Sequence, residues 1–67
     1  MSVYKIIDVV GVSKKSFADA AKVAVDETAK TVRKIRRAEV TKMDMKVDND
    51  KVVSFRTEVK ISFEVDR

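Results

Sequence analysis

The 67-residue chain lacks cysteine, histidine, proline and tryptophan, and it contains a single glycine. Without cysteine or histidine it can form no disulfide, no ordinary structural zinc site and no catalytic triad or Cys–His pair. One glycine cannot build the glycine-rich loops that bind dinucleotides or nucleoside triphosphates. Carboxylate pairs remain, but most acidic residues alternate with lysines, which is typical of exposed ion pairs. We therefore expect a binding protein and not an enzyme.

The length predicts a single domain over residues 1–67, with a small core. A chain this short buries only about 60% of its unfolded surface, while ordering it costs roughly 1.5 kcal/mol per residue. Because disulfides and zinc are excluded, oligomerisation is the stabilising device that remains. The composition is 45% hydrophobic and 39% charged. We expect self-assembly that buries additional apolar surface.

The net charge of +4 raises the question of an anionic partner. Basic residues concentrate in residues 30–37, where they can complement the negative end of a helix macrodipole; contact with a phosphate or another anion is the alternative. Aromatic residues make up 6% of the chain, too few for the stacking platform of single-strand binders, so a nucleic-acid-binding module is disfavoured. The sequence shows no membrane span and no signal-peptide pattern, so we expect a cytoplasmic protein without a membrane partner.

The first half of the chain predicts a strand and a helix. Residues 3–10 form the strand, followed by Gly11, which we expect to supply either a turn with positive φ or a close backbone approach. Ser13 and Ser16 are alternative N-caps, the second within a Ser-Phe-Ala-Asp capping box. Apolar residues spaced three and four apart predict an amphipathic helix over about residues 14–34, with an inner face of Phe17, Ala20, Ala21, Ala24, Thr28, Val32 and Ile35.

The second half predicts two strands, over about residues 37–47 and residues 52–65. In the first of them Met43 falls on the opposite parity from Val40, which indicates a β-bulge near Val40. Residues 48–50 are suited to a tight turn. The last strand alternates between an apolar face and a charged face and is the longest candidate, so we place it at the centre of the sheet.

These elements predict an α+β fold with β-α-β-β order. A helical crossover makes the first two strands run in the same direction, and the hairpin makes the last two antiparallel. Inserting the third strand between the others gives a three-stranded antiparallel sheet of order 1-3-2, wrapped on one amphipathic helix. Two sheet edges and part of one face would stay uncovered, and we expect them to meet other subunits.

One segment is rich in oxygen ligands. Asp44, Asp48, Asn49 and Asp50 lie within seven residues and could suit a hard cation such as calcium. The segment lacks the length and the final glutamate of an EF-hand loop, so a polar hairpin turn is the simpler interpretation.

Several local strings, taken together with the order of elements, resemble the dodecin family across essentially the whole chain. They are Tyr4-Lys5; Gly11-Val12-Ser13 with Phe17; Arg37-Ala38-Glu39-Val40; Phe55-Arg56-Thr57-Glu58-Val59; and Ser62-Phe63-Glu64. The resemblance implies a hollow homododecamer of tetrahedral symmetry, in which many members bind paired flavins between tryptophans, with a glutamine at the edge of the ring. The family's tryptophan position is Arg37 here, and its glutamine position is Arg56.

The chain looks closest to the subgroup of calcium dodecins, which lack the tryptophan. The shared strings are Met1-Ser2-Val3-Tyr4-Lys5, Ile35-Arg36 and Asp44-Met45 followed by Val47-Asp48. This likeness implies a cation site, for which Asp44 and Asp48, and after them Asp8, are the candidate ligands. The cofactor, flavin or calcium, stays undetermined at this level.

Three functional hypotheses follow. The first is a non-enzymatic homododecameric shell that binds or buffers a small ligand or ion, with flavin affinity weakened or lost. The second is a flavin storage protein for FMN or riboflavin, in which Arg37 and Arg56 contact the ligand and an anion offsets their charge. The third is a basic nucleic-acid-binding module that uses residues 30–37.

Overall fold

The computed structural model describes residues 2–65, which form β1 (Tyr4–Ser13), α1 (Phe17–Thr28), β2 (Ile35–Asp48) and β3 (Lys51–Glu64). The strands make one sheet of order β1-β3-β2, and β3 pairs antiparallel with both neighbours. The predicted β-α-β-β fold and strand order are confirmed. No helix within residues 2–65 is both long and apolar enough to cross a membrane.

The helix packs on one face of the sheet, which we call the helix face; the opposite side is the outer face. Alternation along β3 places Thr57, Val59 and Ile61 on the helix face, where all three are buried. Ala20 and Ala24 are the buried residues of α1. The hydrophobic core therefore consists of two alanines, a valine and an isoleucine, with partly buried neighbours around them.

Gly11 lies inside β1 and supplies no turn, because β1 continues to Ser13 and no glycine has positive φ. It allows the helix to approach closely instead. A Cβ built at this position would overlap the carbonyl oxygen of Ala20 and would lie 3.0 Å from the Cβ of Ala24. Of the two predicted roles of this glycine, the close backbone approach is confirmed and the positive-φ turn is wrong.

The helix begins at Ser16, whose hydroxyl accepts a hydrogen bond from Asp19 N. Ser13 ends β1, and its hydroxyl donates to the Asp19 carboxylate at 2.6 Å.

The helix ends at Thr28, so the prediction of a helix to about residue 34 is wrong. The basic run 30–37 is a turn followed by the start of β2, entered through Lys34 at φ 61°. The spacing of Val32 and Ile35 fits a helix, but Ile35 pairs with Phe63 on β3 and therefore lies in a strand.

Strand β2 starts two residues earlier than predicted. Its pairing with β3 contains three irregularities, between Ile35 and Arg37, Val40 and Lys42, and Lys46 and Val47. The second is the bulge that the parity change near Val40 predicts, and it is confirmed. The hairpin turn is also confirmed: Asn49 and Asp50 have φ of 53° and 62°, as two-residue turns of type I′ require.

Candidate functional site

The charged residues of interest lie on the outer face. Alternation and register place Asp44 and Arg56 there as direct neighbours across β2 and β3. Arg56 Nε donates to Asp44 Oδ1 at 2.9 Å, and Arg56 Nη2 donates to Oδ2 at 3.0 Å. This bidentate pair uses both carboxylate oxygens. The hydrogen bond to Asp44, and then the charge of Asp44, raise the pKa of Arg56.

The Asp44–Arg56 pair borders a hollow of about 410 Å³ that Val12, Lys46 and Ser54 also line. Both members are about half exposed, so solvent screens the attraction and the pair adds little to stability. Its main effect is chemical: while Arg56 holds both oxygens, Asp44 is not a free cation ligand, and one edge of the Arg56 guanidinium is not free to meet a ligand.

A second hollow, of about 390 Å³, lies near the other end of the outer face and is lined by Tyr4, Arg36, Arg37 and Ser62. We call it the arginine hollow. Arg36 Nε donates to Glu64 Oε1 at 3.3 Å. Within residues 2–65, the guanidinium of Arg37 has no hydrogen-bond or ion-pair partner. The arginine hollow therefore combines one paired and one unpaired guanidinium.

The structure does not bring Arg37 and Arg56 together within one chain. Arg37 lies opposite Ser62 on β3, six residues from Arg56, which corresponds to about 20 Å along a strand. The two candidate flavin positions therefore belong to different hollows of a protomer. A pocket that contains both needs at least two copies of the chain.

The three candidate cation ligands are also separate. Asp8 on β1 forms an ion pair with Lys60 of β3 at 3.2 Å. Asp44 on β2 pairs with Arg56, which lies four residues from Lys60 on β3. Asp48 is the last residue of β2. Within residues 2–65, no three Asp or Glu side chains lie close enough to hold a metal ion. Calcium takes six to eight oxygen ligands, so the acidic side chains within residues 2–65 of one protomer do not by themselves make a calcium site.

Much of the helix face is uncovered. A helix of 12 residues is about 18 Å long, whereas a 14-residue strand extends about 46 Å. The helix lies over β1 and part of β3, and Val40, Met43 and Met45 of β2 stay exposed on the same face. Val47 and Val52 extend this apolar surface toward the hairpin. We call these five residues the β2 patch.

Sequence reasoning missed Tyr4 and Ser62 of the arginine hollow, whereas Arg36 belongs to the basic run 30–37, for which anion contact is the alternative interpretation. One signal for Arg36 exists: Ile35 and Ala38 share the helix face although their spacing is odd, which indicates an extra residue between them. Tyr4 and Ser62 carry no such signal, because only the pairing of β1 and β2 with β3 places them beside the arginines.

Comparisons with known proteins agree on one family. The dodecin family model matches residues 3–66. Calcium dodecin of Mycobacterium tuberculosis is 40% identical over 65 residues, which cover 97% of this chain and 92% of that protein. A crystal structure of that calcium-chelating immunodominant antigen, with a novel calcium-binding site, superposes with a TM-score of 0.86 at 38% identity, covering 97% and 93% of the two chains. Dodecin of Streptomyces coelicolor superposes with a TM-score of 0.94 at 26% identity, covering 98% and 94%.

Proposed function

Because the chain belongs to the dodecin family, we propose that it is a non-enzymatic homododecameric shell that binds or buffers a small ligand or ion, with little affinity for flavin. The observation that carries the proposal is the uncovered apolar surface of the protomer. A relative that binds calcium adds support for ligand or ion binding as the role of the assembly.

The protomer is more open than a compact protein of its size. Its accessible surface is 5302 Å², whereas a compact protein of 7.6 kDa exposes about 4,300 Å². Its radius of gyration is 13.7 Å, against about 11 Å for a compact chain of this length. The excess of about 1,000 Å² is similar to the area that each partner buries in a standard interface. Self-assembly through the β2 patch accounts for it.

Mass determination tests the assembly. Native mass spectrometry of the protein as purified should give about 91 kDa, from twelve chains of 7.6 kDa. Met43→Lys places a charge in the β2 patch and should lower the mass. Val23→Lys adds the same charge at an exposed position of α1 and should leave the assembly intact. A 7.6 kDa species for the unmodified chain at micromolar concentration would contradict the proposal.

The residues present do not fit an aromatic flavin sandwich. The chain contains no tryptophan, and the position that corresponds to the family's glutamine is Arg56, which Asp44 already engages. Two arginines brought together by two copies would repel each other unless an anion lay between them. Loss of an aromatic sandwich removes about 1 kcal/mol per ring pair beyond the burial of area. We therefore expect weak flavin binding.

Fluorescence titration tests this part. Riboflavin should show little saturable quenching with the unmodified protein at micromolar concentrations. The double variant Arg37→Trp and Arg56→Gln restores the family's residues and should gain affinity for riboflavin. Saturable quenching of riboflavin, which carries no phosphate group, by the unmodified protein would contradict this expectation and favour flavin storage.

Calcium is the first ion to test, because the relative binds it. Since one protomer offers no cluster of three acidic residues within the described part of the chain, an ion site would need carboxylates from several copies. Isothermal titration of the assembly with calcium should therefore show binding that Met43→Lys abolishes together with the assembly. A calcium ion that takes Asp44 as a ligand must displace Arg56 from it, so Asp44→Asn should weaken binding, while Asp26→Asn, at an ion pair on α1, serves as the control. Equal effects of Asp44→Asn and Asp26→Asn would exclude Asp44 as a ligand.

A further inference from the structure

The first irregularity of β2 places two adjacent arginines on one face of the sheet. Ile35 lies opposite Phe63 and Arg37 opposite Ser62, so Arg36 is the extra residue of a bulge. In a regular strand, neighbouring side chains point to opposite faces. Here Arg36 reaches Glu64 of the central strand, and both guanidinium groups line the arginine hollow. Bulges of this kind commonly redirect a side chain beside a functional site.

Hydrogen-bond donors converge on the arginine hollow. Arg37 has no partner within residues 2–65, and Arg36 uses only its Nε, in a contact of 3.3 Å with Glu64. A guanidinium group carries five N–H donors and no acceptor, so most of these donors are free to meet a ligand. Ser62 and Tyr4, which both carry a hydroxyl group, line the same hollow.

The local charge favours an anion. Arg36 and Arg37 contribute two positive charges, and Glu64 offsets one of them. Glu39 also lies near Arg37, but no ion pair joins the two, and Glu39 lines a neighbouring hollow and not the arginine hollow. The arginine hollow therefore keeps an excess of positive charge, in a chain whose net charge is +4. Glu64 also restrains Arg36 toward the hollow.

We propose that the arginine hollow binds the phosphate group of a small phosphorylated molecule. Arg37 offers two parallel N–H donors to two phosphate oxygens, the geometry in which arginine recognises phosphate. The free amino groups of Arg36 and the hydroxyl of Ser62 meet the remaining oxygens, and Tyr4 supports the rest of the molecule. The hollow of about 390 Å³ lies within the range of roughly 300–1,000 Å³ usual for small-molecule sites. This inference rests on the ligand-binding function proposed above and names its ligand class.

Isothermal titration of the purified assembly with inorganic phosphate and with glycerol phosphate, at low ionic strength, tests the inference. Both should bind with saturation. Arg37→Gln should weaken binding by about tenfold or more, the loss expected for one charge-assisted bidentate contact. Arg36→Gln should weaken it less. Arg33→Gln removes the same charge outside the hollow and should leave the affinity unchanged. Arg37→Lys keeps the charge without the two parallel donors and should bind less tightly than the unmodified protein.

The mass of each variant is measured in the same samples, so a failure of assembly is distinguished from a failure of the phosphate site. If Arg37→Gln does not assemble, Ser62→Ala provides the second test, because it removes only a hydroxyl and should lower the affinity for phosphate. Several results would overturn the inference: no saturable phosphate binding by an intact assembly, equal losses in Arg33→Gln and Arg37→Gln, full affinity in Arg37→Lys, or acetate binding as tightly as phosphate.

Discussion

Replacement of Gly11 by alanine should destabilise the protein more than any other single-methyl addition in β1. The new Cβ would overlap the backbone carbonyl oxygen of Ala20 and lie 2.9 Å from its carbonyl carbon. Rotation of a side chain cannot relieve contact with a carbonyl group, so α1 must move away from β1. That movement loosens the packing of Ala20 and Ala24, which are two of the four buried hydrophobic residues within residues 2–65.

The magnitude follows from two opposing effects. Overpacking of a close-packed site costs about 1–3 kcal/mol, and contact with fixed backbone puts this site at the upper end. Replacing a glycine inside a strand recovers roughly 0.5–1 kcal/mol of conformational entropy, because Gly11 does not need positive φ. The net loss is about 2 kcal/mol, which lowers Tm by roughly 8–16 °C in a domain of this size.

Thermal unfolding followed by circular dichroism, at one protein concentration, measures the loss. Val10→Ala is the matched control, because Val10 is the neighbouring residue and its exposed side chain lies on the outer face. Adding Ala24→Gly to Gly11→Ala should restore only part of the stability, since the carbonyl of Ala20 remains in place. A Tm for Gly11→Ala no lower than that of Val10→Ala would refute the close approach as the reason for this glycine.

Three further substitutions test local structure by chemical denaturation. Asp50→Gly should raise the free energy of unfolding by about 0.5–1 kcal/mol, because Asp50 has φ of 62° and glycine adopts that conformation without steric cost; a loss of stability would argue against the type I′ turn. Ser16→Ala should lower it by about 1 kcal/mol through loss of the hydrogen bond from Asp19 N, and Ser16→Asp should retain the cap. Thr57→Val should lower it by about 1 kcal/mol, because the buried hydroxyl donates to Phe17 O, while Thr57→Ser should keep that bond.

The sheet could be predicted because its signals are local. Alternation along β3 places Val59 and Ile61 on the buried face, and the Asn49-Asp50 turn fixes the hairpin, so the strand order follows from chain connectivity. The end of α1 could not be predicted in the same way. Val32 and Ile35 continue the helical spacing, but Ile35 pairs with Phe63, which lies 28 residues further along the chain. Spacing within a segment carries no information about such a partner.

The candidate site could be predicted only in part. Arg37 and Arg56 are identifiable as positions of interest from family motifs, yet their separation within a protomer depends on where each lies along the sheet. The bidentate contact between Asp44 and Arg56 is not visible in the sequence, because it depends on the register of β2 against β3. The arginine hollow depends in the same way on the bulge at Arg36.

The bulge between Val40 and Lys42 determines both the outer-face chemistry and the apolar surface. If the extra residue, Thr41, were paired regularly and not bulged, strict alternation from Val40 would place Asp44 on the helix face and Met43 and Met45 on the outer face. Asp44 would then not meet Arg56, and the β2 patch would lose its two methionines. The hydroxyl of Thr41 donates to Glu58 O at 3.2 Å, so the side chain of the extra residue bonds to the central strand. One residue thus couples the charge pattern of the outer face to the surface proposed for assembly.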